Sequence, residues 1–443
     1  MKKINQVLLL CTTLFASVTL SAQQEQSLAF MTDVWQSNLT NPALLPEKKI
    51  GIALPSLYFN LNSPELTFNS FITTNAAGKD QIILKDVVEN KLQPQNNFSG
   101  NVQFQTLGLS FPVTKRLFLT FTHGVWANPS VTVNRNLARI LVKGNADAEF
   151  LGKTSAFGSS ANGDVRSEFG IGAAYKLPNI TIGARVKLQY GLSALFTTAD
   201  KLDITFNQND YNMRFQTDFE VQTYSIEKFS NVSTFQDLLK NGLTSQNTGV
   251  SFDLGGSMKL GKLQLNASLI DLGGSINWKS EGKSYGSKGD YTYKGVNPSG
   301  RDQFFRFDSL GSATFSDTLK KVIGYKTSES GVTHTQTLPT KMYLTGSYGL
   351  TDKLTLGALI YGEFGGNESK TGFMVDATYK LFKVLRVGAT VGLRNKTFNN
   401  IGAHISAQLG PVQVFAVTDN VLTAFKPYDA NNANGRAGLA LIF

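Results

Sequence analysis

The chain has 443 residues, a net charge of +10, one cysteine, 12 prolines and 41 glycines, with 31 Phe and 14 Tyr against 3 Trp. A single cysteine excludes a disulfide framework, and a mean hydropathy of −0.11 argues against a bundle of membrane helices. The basic residues are scattered, with no dense Lys/Arg face interleaved with aromatics, so nucleic-acid binding is set aside.

Lys2 and Lys3 precede an apolar run from Val7 to Leu20, followed by Ser21 and Ala22, which reads as a signal peptide over 1–22. The run is too short and too rich in Thr for a comfortable membrane span. Cys11 lies within it, and Leu9 and Leu10 occupy positions where a lipoprotein signal needs small residues. Residues 23–48, with Trp35, Asn38, Asn41, Pro42, Ala43, Leu44 and Leu45, are too few for a domain, yet their apolar side chains need cover. A plug inside a barrel is the economical reading; an exposed periplasmic tail is the alternative.

From there onward the dominant signal is period-2 alternation. Ile180, Ile182, Ala184, Val186, Leu188 and Tyr190 alternate with Thr181, Gly183, Arg185, Lys187 and Gln189, and only a strand sorts these sets onto opposite faces. Strands are expected at 49–59, 101–112, 116–128, 165–177, 179–195, 249–260, 262–277, 338–350, 353–364, 371–382, 384–395, 401–410, 411–421 and 435–443. Pro55 makes the first the weakest. Six connections are tight and seven are long and polar, including about 60–100, 131–164, 196–248 and 278–337. With both termini beside the short turns, that pattern predicts an all-β, 14-stranded antiparallel transmembrane barrel over 49–443, long loops outside. Alternation through Met213, Phe215, Thr217, Phe219 and Val221 adds either an outer hairpin or two more wall strands, making sixteen. The 278–337 loop, with Tyr285, Tyr291, Tyr293, Phe304, Phe305 and Phe307, carries enough aromatics to fold over the mouth.

Arg185, Lys187, Arg386 and Arg394 fall on lumen-facing positions, where they form either a basic patch for anions or ion pairs with Glu168, Asp376 and Glu363. Gly256 to Lys262 imitates a phosphate-binding loop, but Leu263 replaces the required Ser or Thr and the segment is strand-turn-strand. The histidines at 123, 334 and 404 lack metal spacing, although His123 or His404 could meet a Ser or Asp across strands. Asp429 to Gly435 misplaces the glycine of a calcium loop. No enzyme, metal or cofactor is therefore expected.

The chain ends Arg436, Ala437, Gly438, Leu439, Ala440, Leu441, Ile442, Phe443. Arg436, Gly438, Leu441 and Phe443 resemble the C-terminal β-signal by which outer-membrane barrels are handed to the barrel assembly machinery. That resemblance implies export to the outer membrane and lipid as the surrounding partner. Asn41, Pro42 and Ala43, just ahead of the first strand, resemble the Asn-Pro-Ala hatch motif of the FadL-like superfamily, which includes fatty-acid channels, aromatic-hydrocarbon channels and PorV-type proteins of the type IX secretion system. Within it, the likeness is to barrels of unknown function. The resemblance implies a fourteen-stranded barrel passing small hydrophobic molecules, with the plug as gate. The rival is a non-transporting accessory or scaffold subunit whose long loops bind secreted or surface proteins.

Overall fold

The computed structural model describes residues 26–443 apart from 47–49, 65, 75–79, 83, 145, 146, 210, 211, 232, 294–319, 322, 329, 330, 366–368, 395 and 396. The signal-peptide reading, Cys11, Phe304, Phe305 and Phe307 lie outside the described residues.

Fourteen antiparallel strands make the wall. They are β1 (Gly51–Asn62), β2 (Gln95–Pro112), β3 (Leu117–Ala127), β4 (Ser160–Lys176), β5 (Ile180–Phe206), β6 (Thr248–Leu260), β7 (Leu263–Trp278), β8 (Thr340–Gly349), β9 (Leu354–Phe364), β10 (Lys370–Lys380), β11 (Leu385–Arg394), β12 (Thr397–Leu409), β13 (Val412–Thr418) and β14 (Asn432–Ile442). The ring closes where Gly51 faces Ile442 and Asn62 faces Asn432, so no wall edge is left for a neighbouring chain to pair with. Pro55 is absorbed by a register shift between Ala53 and Ser56 against β14.

Side chains are sorted inside out. On β5, Ile182, Val186 and Leu188 are exposed, while Arg185 and Lys187 are only 3% and 4% exposed and Gln189 is fully buried. On β6, Val250, Phe252 and Leu254 face outward between the buried Ser251 and Asp253. Water around this surface would cost about 25 cal/mol for every Å² of apolar area left wet, whereas lipid removes that cost. Phe111, Tyr175, Tyr348, Tyr379, Phe382 and Phe443 are exposed near the short-turn rim, the level at which aromatic girdles sit.

The count of fourteen, rather than sixteen, follows from how β5 divides. Its Ile180–Tyr190 part pairs with β6, whereas Ala194–Phe206 pairs with the strand Met213–Tyr224. At about 3.3 Å per residue its 27 residues far exceed the ~30 Å lipid core. The strand Met213–Tyr224 therefore stands above the wall, paired on its other side with Lys283–Tyr293. Phe150, Phe157, Ile204, Phe206, Phe215 and Ile323 give this outer cap its own core. Tyr291 and Tyr293 pack against that core.

Glu220 ties the cap's strands together. Its carboxylate accepts hydrogen bonds from Ser284 Oγ at 2.6 Å, Thr198 Oγ1 at 3.1 Å and Gln222 Nε2 at 3.2 Å. The Ser284 hydroxyl, more than any other neighbour, holds this carboxyl below the ordinary value of 4.5. A depressed carboxyl contributes stability that is complete above that ordinary value and lost as pH falls through the folded one. Amide protection in Met213–Tyr224 is thus expected to be weaker at about pH 3 than at about pH 6, and Glu220→Gln to shrink the difference. Equal differences in parent and variant would contradict the assignment.

Candidate functional site

Residues 26–46 cross the lumen as two short 3-10 turns, Ser27–Phe30 and Trp35–Leu39, joined by irregular chain. The segment satisfies part of its backbone internally, as in Ala29 N–H to Gln26 O and Ser37 N–H to Val34 O at 3.1 Å each, and the polar groups left over are satisfied by the wall. Asp419 accepts the backbone N–H of Gln26 and of Ser27 at 2.9 Å each. Gln413 Oε1 accepts the Trp35 N–H at 2.9 Å, and Trp35 Nε1 donates to Ser110 Oγ at 3.0 Å. Asp33 forms an ion pair with Arg386 at 2.7 Å and accepts from Ser406 Oγ at 3.0 Å. Arg185 donates to the Asn38 carbonyl at 2.8 Å and also to Asn38 Oδ1. Ser268 Oγ donates to the Thr40 carbonyl at 2.6 Å.

Large plug side chains rest where the wall has glycine. A Cβ built on Gly51 would lie 2.5 Å from Trp35 Cδ1, and one on Gly108 would lie within the Trp35 ring contact distance. A Cβ on Gly357 would meet Phe30 Cδ1 at 2.8 Å. Gly183 and Gly255, partners across β5 and β6, form the third seat. A Cβ on Gly183 would come within 2.5 Å of the Pro42 carbonyl, and one on Gly255 within 2.8 Å of Pro42 Cδ. Asn41 closes that seat: its Nδ2 donates to Gly256 O at 3.0 Å and Ala267 O at 3.3 Å, while its Oδ1 accepts the Ala43 N–H at 2.8 Å. Asn41, Pro42 and Ala43 thus form one wall contact.

The lumen around the plug has two chemically unlike sides. Leu28, Met31 and Val34 pack on Phe415 and Val417. Ala29 and Phe30 pack on Ile270, Tyr343, Leu359, Tyr361 and Met374. Beside these lies a buried ion network: Lys187 Nζ is 3.1 Å from Asp253 and 3.5 Å from Glu168 and also pairs with Asp271, whose other oxygen is 3.0 Å from Lys341. Arg185 stands 3.6 Å from Asp253.

Of the four basic residues read as a possible patch, Arg185 and Lys187 come together, whereas Arg386 lies apart with Asp33. Arg394 ends β11, and its side chain lies outside the described residues. Glu168 pairs with Lys187, Glu363 with Lys370 at 3.0 Å, and Asp376 with His404 at 2.8 Å. Sequence reasoning missed Asp253, Asp271, Asp33 and Asp419. Asp253 was findable, because it shares the inward phase of Ser251; Asp271 has a left-handed φ of 61°, which breaks the alternation.

Along the closing seam, Arg436 is buried, donating to Gln103 Oε1 at 2.6 Å with its guanidinium 5.0 Å from the Tyr58 ring centre. A Cβ on Gly438 would meet the Phe415 ring at 2.9 Å. Leu441 faces Ile52, and the Phe443 N–H donates to Ile50 O at 2.8 Å. His123 bridges Thr106 Oγ1 at 2.6 Å and Ser167 Oγ at 3.0 Å, with a hydroxyl where a catalytic triad has its carboxylate. His334 stacks on Phe196 with ring centres 4.3 Å apart.

Among known families, the Family of unknown function (DUF5723) matches residues 42–419. No curated protein matches. Among solved structures, the TodX monoaromatic hydrocarbon channel deltaS2 mutant is similar at a TM-score of 0.46 and 10% identity, over 92% of this chain and 94% of that one. The P. putida toluene transporter TodX gives 0.42 and 10%, over 92% and 94%. The Ralstonia pickettii toluene transporter TbuX gives 0.38 and 10%, over 93% and 94%. Similarity at that level leaves each residue's role to this chain's own geometry.

Proposed function

Because this chain belongs to the Family of unknown function (DUF5723), its role has to come from its own lumen, and we propose an outer-membrane barrel that passes small hydrophobic molecules with residues 26–46 as the gate. The observation that carries this is the one-sided apolar cover. The plug's Leu28, Phe30, Met31 and Val34 hide a strip formed by Tyr343, Leu359, Tyr361, Met374, Phe415 and Val417. Moving the plug would expose an apolar track for fatty-acid-like cargo beside a fixed ionic wall, with Pro42 and Trp35 as stoppers. Residues 1–22 would direct export, and the strand Asn432–Ile442 with Phe443 would present the chain for assembly.

Deleting 26–45 is expected to raise uptake of a labelled fatty acid into liposomes, together with leakage of small polar solutes. Uptake and leakage equal to those of the intact barrel would remove the gate.

A second reading is a non-transporting, PorV-like accessory or scaffold subunit. It draws support from the outer cap with its own core, and from the placement of an apolar groove of about 550 Å³ on the lipid side, lined by Leu265, Leu344, Ile360 and Phe373, rather than through the lumen. Loss of a surface protein from cells lacking this barrel, with fatty-acid uptake unchanged, would favour that reading.

A further inference from the structure

Beneath the plug, at the short-turn end, the lumen widens into a vestibule of about 480 Å³. Its roof is the plug itself, through Phe30, Ala43, Leu44 and Leu45. Lys176, Lys259, Lys353 and Lys380 line its walls, each at the periplasmic end of a different strand or turn. Of the three carboxylates that also line it, Asp376 is hydrogen-bonded to His404 Nε2 at 2.8 Å and accepts from Thr378 Oγ1 at 2.7 Å, and Asp33 is ion-paired with Arg386, which leaves Asp352. Among the described residues, no carboxylate lies within ion-pair distance of the four lysines. Four like charges around one cavity repel each other, so the arrangement is stabilised by whatever anion enters.

We propose that this vestibule binds an organic anion carrying two or more acidic groups on an apolar body, and that the bound anion competes with Asp33 for Arg386. More than one acidic group is required because the lysines fall into separate groups: the Lys380 N–H donates to the Lys353 carbonyl at 2.8 Å, making these two cross-strand neighbours, whereas Lys176 and Lys259 stand on other strands beyond the reach of the same head group. An apolar body is required because the plug contributes Phe30, Ala43, Leu44 and Leu45 to the roof, against the single hydroxyl donor of Thr32. The volume lies in the range of small-molecule sites and is far below that of a protein domain. Arg386 lines the same cavity while holding Asp33, so an acidic group delivered there exchanges one carboxylate partner for another. The plug loses its ion pair with β11, and the gate is loosened from the periplasmic side. This second step rests on the gate reading; the binding site does not.

The test uses the full-length barrel in detergent, decanedioate as probe, and lysine acetylation read by mass spectrometry. Decanedioate is expected to slow labelling of Lys176, Lys259, Lys353 and Lys380 at least several-fold, leaving Lys115 and Lys262 on neighbouring turns unchanged. Uncharged decane-1,10-diol should protect none, and decanoate should protect less than decanedioate. Uniform protection of all six lysines, or protection of none, overturns the site; equal protection by decanoate overturns the requirement for two acidic groups. Calorimetry of Lys353→Gln with Lys380→Gln should show affinity for decanedioate lowered roughly tenfold. Asp33→Asn, which removes the competitor, should tighten binding by a comparable factor. Unchanged affinity in Asp33→Asn overturns the competition. Failure of the gate itself would appear elsewhere, as unaltered leakage after deletion of 26–45 while decanedioate still protects the four lysines of the full-length barrel.

Discussion

Gly108→Leu is expected to drive the plug from its seat and to raise single-barrel conductance in planar bilayers at least tenfold, without loss of the folded barrel. The residue stands on β2, paired on both sides, so the backbone cannot retreat. What a side chain would meet is the rigid Trp35 indole, fixed by its hydrogen bond to Ser110 and by packing on Ala53, Ala440 and Ile442. The ring cannot turn aside as a flexible side-chain tip would, so it must leave. Displacing a buried Trp forfeits about 3–5 kcal/mol of packing, and in the plug that loss is concentrated on a short segment whose regular structure is limited to two 3-10 turns. Folding of the wall should be spared, because Leu at an inward strand position favours β structure better than Gly does. Trp35→Gly combined with Gly108→Leu restores room and should bring conductance part of the way back. Unchanged conductance in Gly108→Leu, with the variant still migrating as a folded barrel, would show that the indole does not hold the segment in place.

The architecture was legible in the sequence because lipid and lumen impose opposite demands on alternate residues. Arg185 and Lys187 between Ile182, Val186 and Leu188 allow one arrangement, and short turns alternating with long loops fix the even strand count. Pro55 obscured β1 only because a bulge lets proline sit in a closed wall. What periodicity could not supply was the upper limit of β5: the alternation that serves lipid up to Leu188 continues through Ile204 and Phe206, which are buried in the cap instead. The apolar partner differs, but the pattern does not.

The wall contacts of residues 26–46 were less visible for another reason. Gly51, Gly108, Gly183, Gly255 and Gly357 act through what they lack, and an inward glycine in a strand looks the same whether it seats a ring or merely weakens the sheet. Asn41, Pro42 and Ala43 could be singled out as a motif, yet their partners, the carbonyls of Gly256 and Ala267, carry no side-chain signature at all. Asp33 belongs to irregular chain, where no period marks the face it turns to the lumen, whereas Asp419, one residue past β13, continues the inward phase of Gln413, Phe415 and Val417 and was findable.

Lys187→Met is expected to lower the barrel's stability by about 3–5 kcal/mol, the usual cost of removing one partner from a buried ion group. The ammonium serves three carboxylates, from Glu168 on β4, Asp253 on β6 and Asp271 on β7. Asp271 retains Lys341 and Asp253 retains Arg185, but Arg185 is already committed to Asn38 of the plug. Methionine fills the space without charge, so the loss is electrostatic rather than a cavity. Unfolding in urea, followed by the shift between folded and unfolded bands in unheated gels, measures it. Adding Asp253→Asn removes one of the stranded carboxylates and should recover part of the loss, which a simple packing defect would not allow. A midpoint within experimental error of the parent would mean that water already solvates these carboxylates. The charged side of the lumen would then be a wet channel wall, and the plug alone would close the barrel.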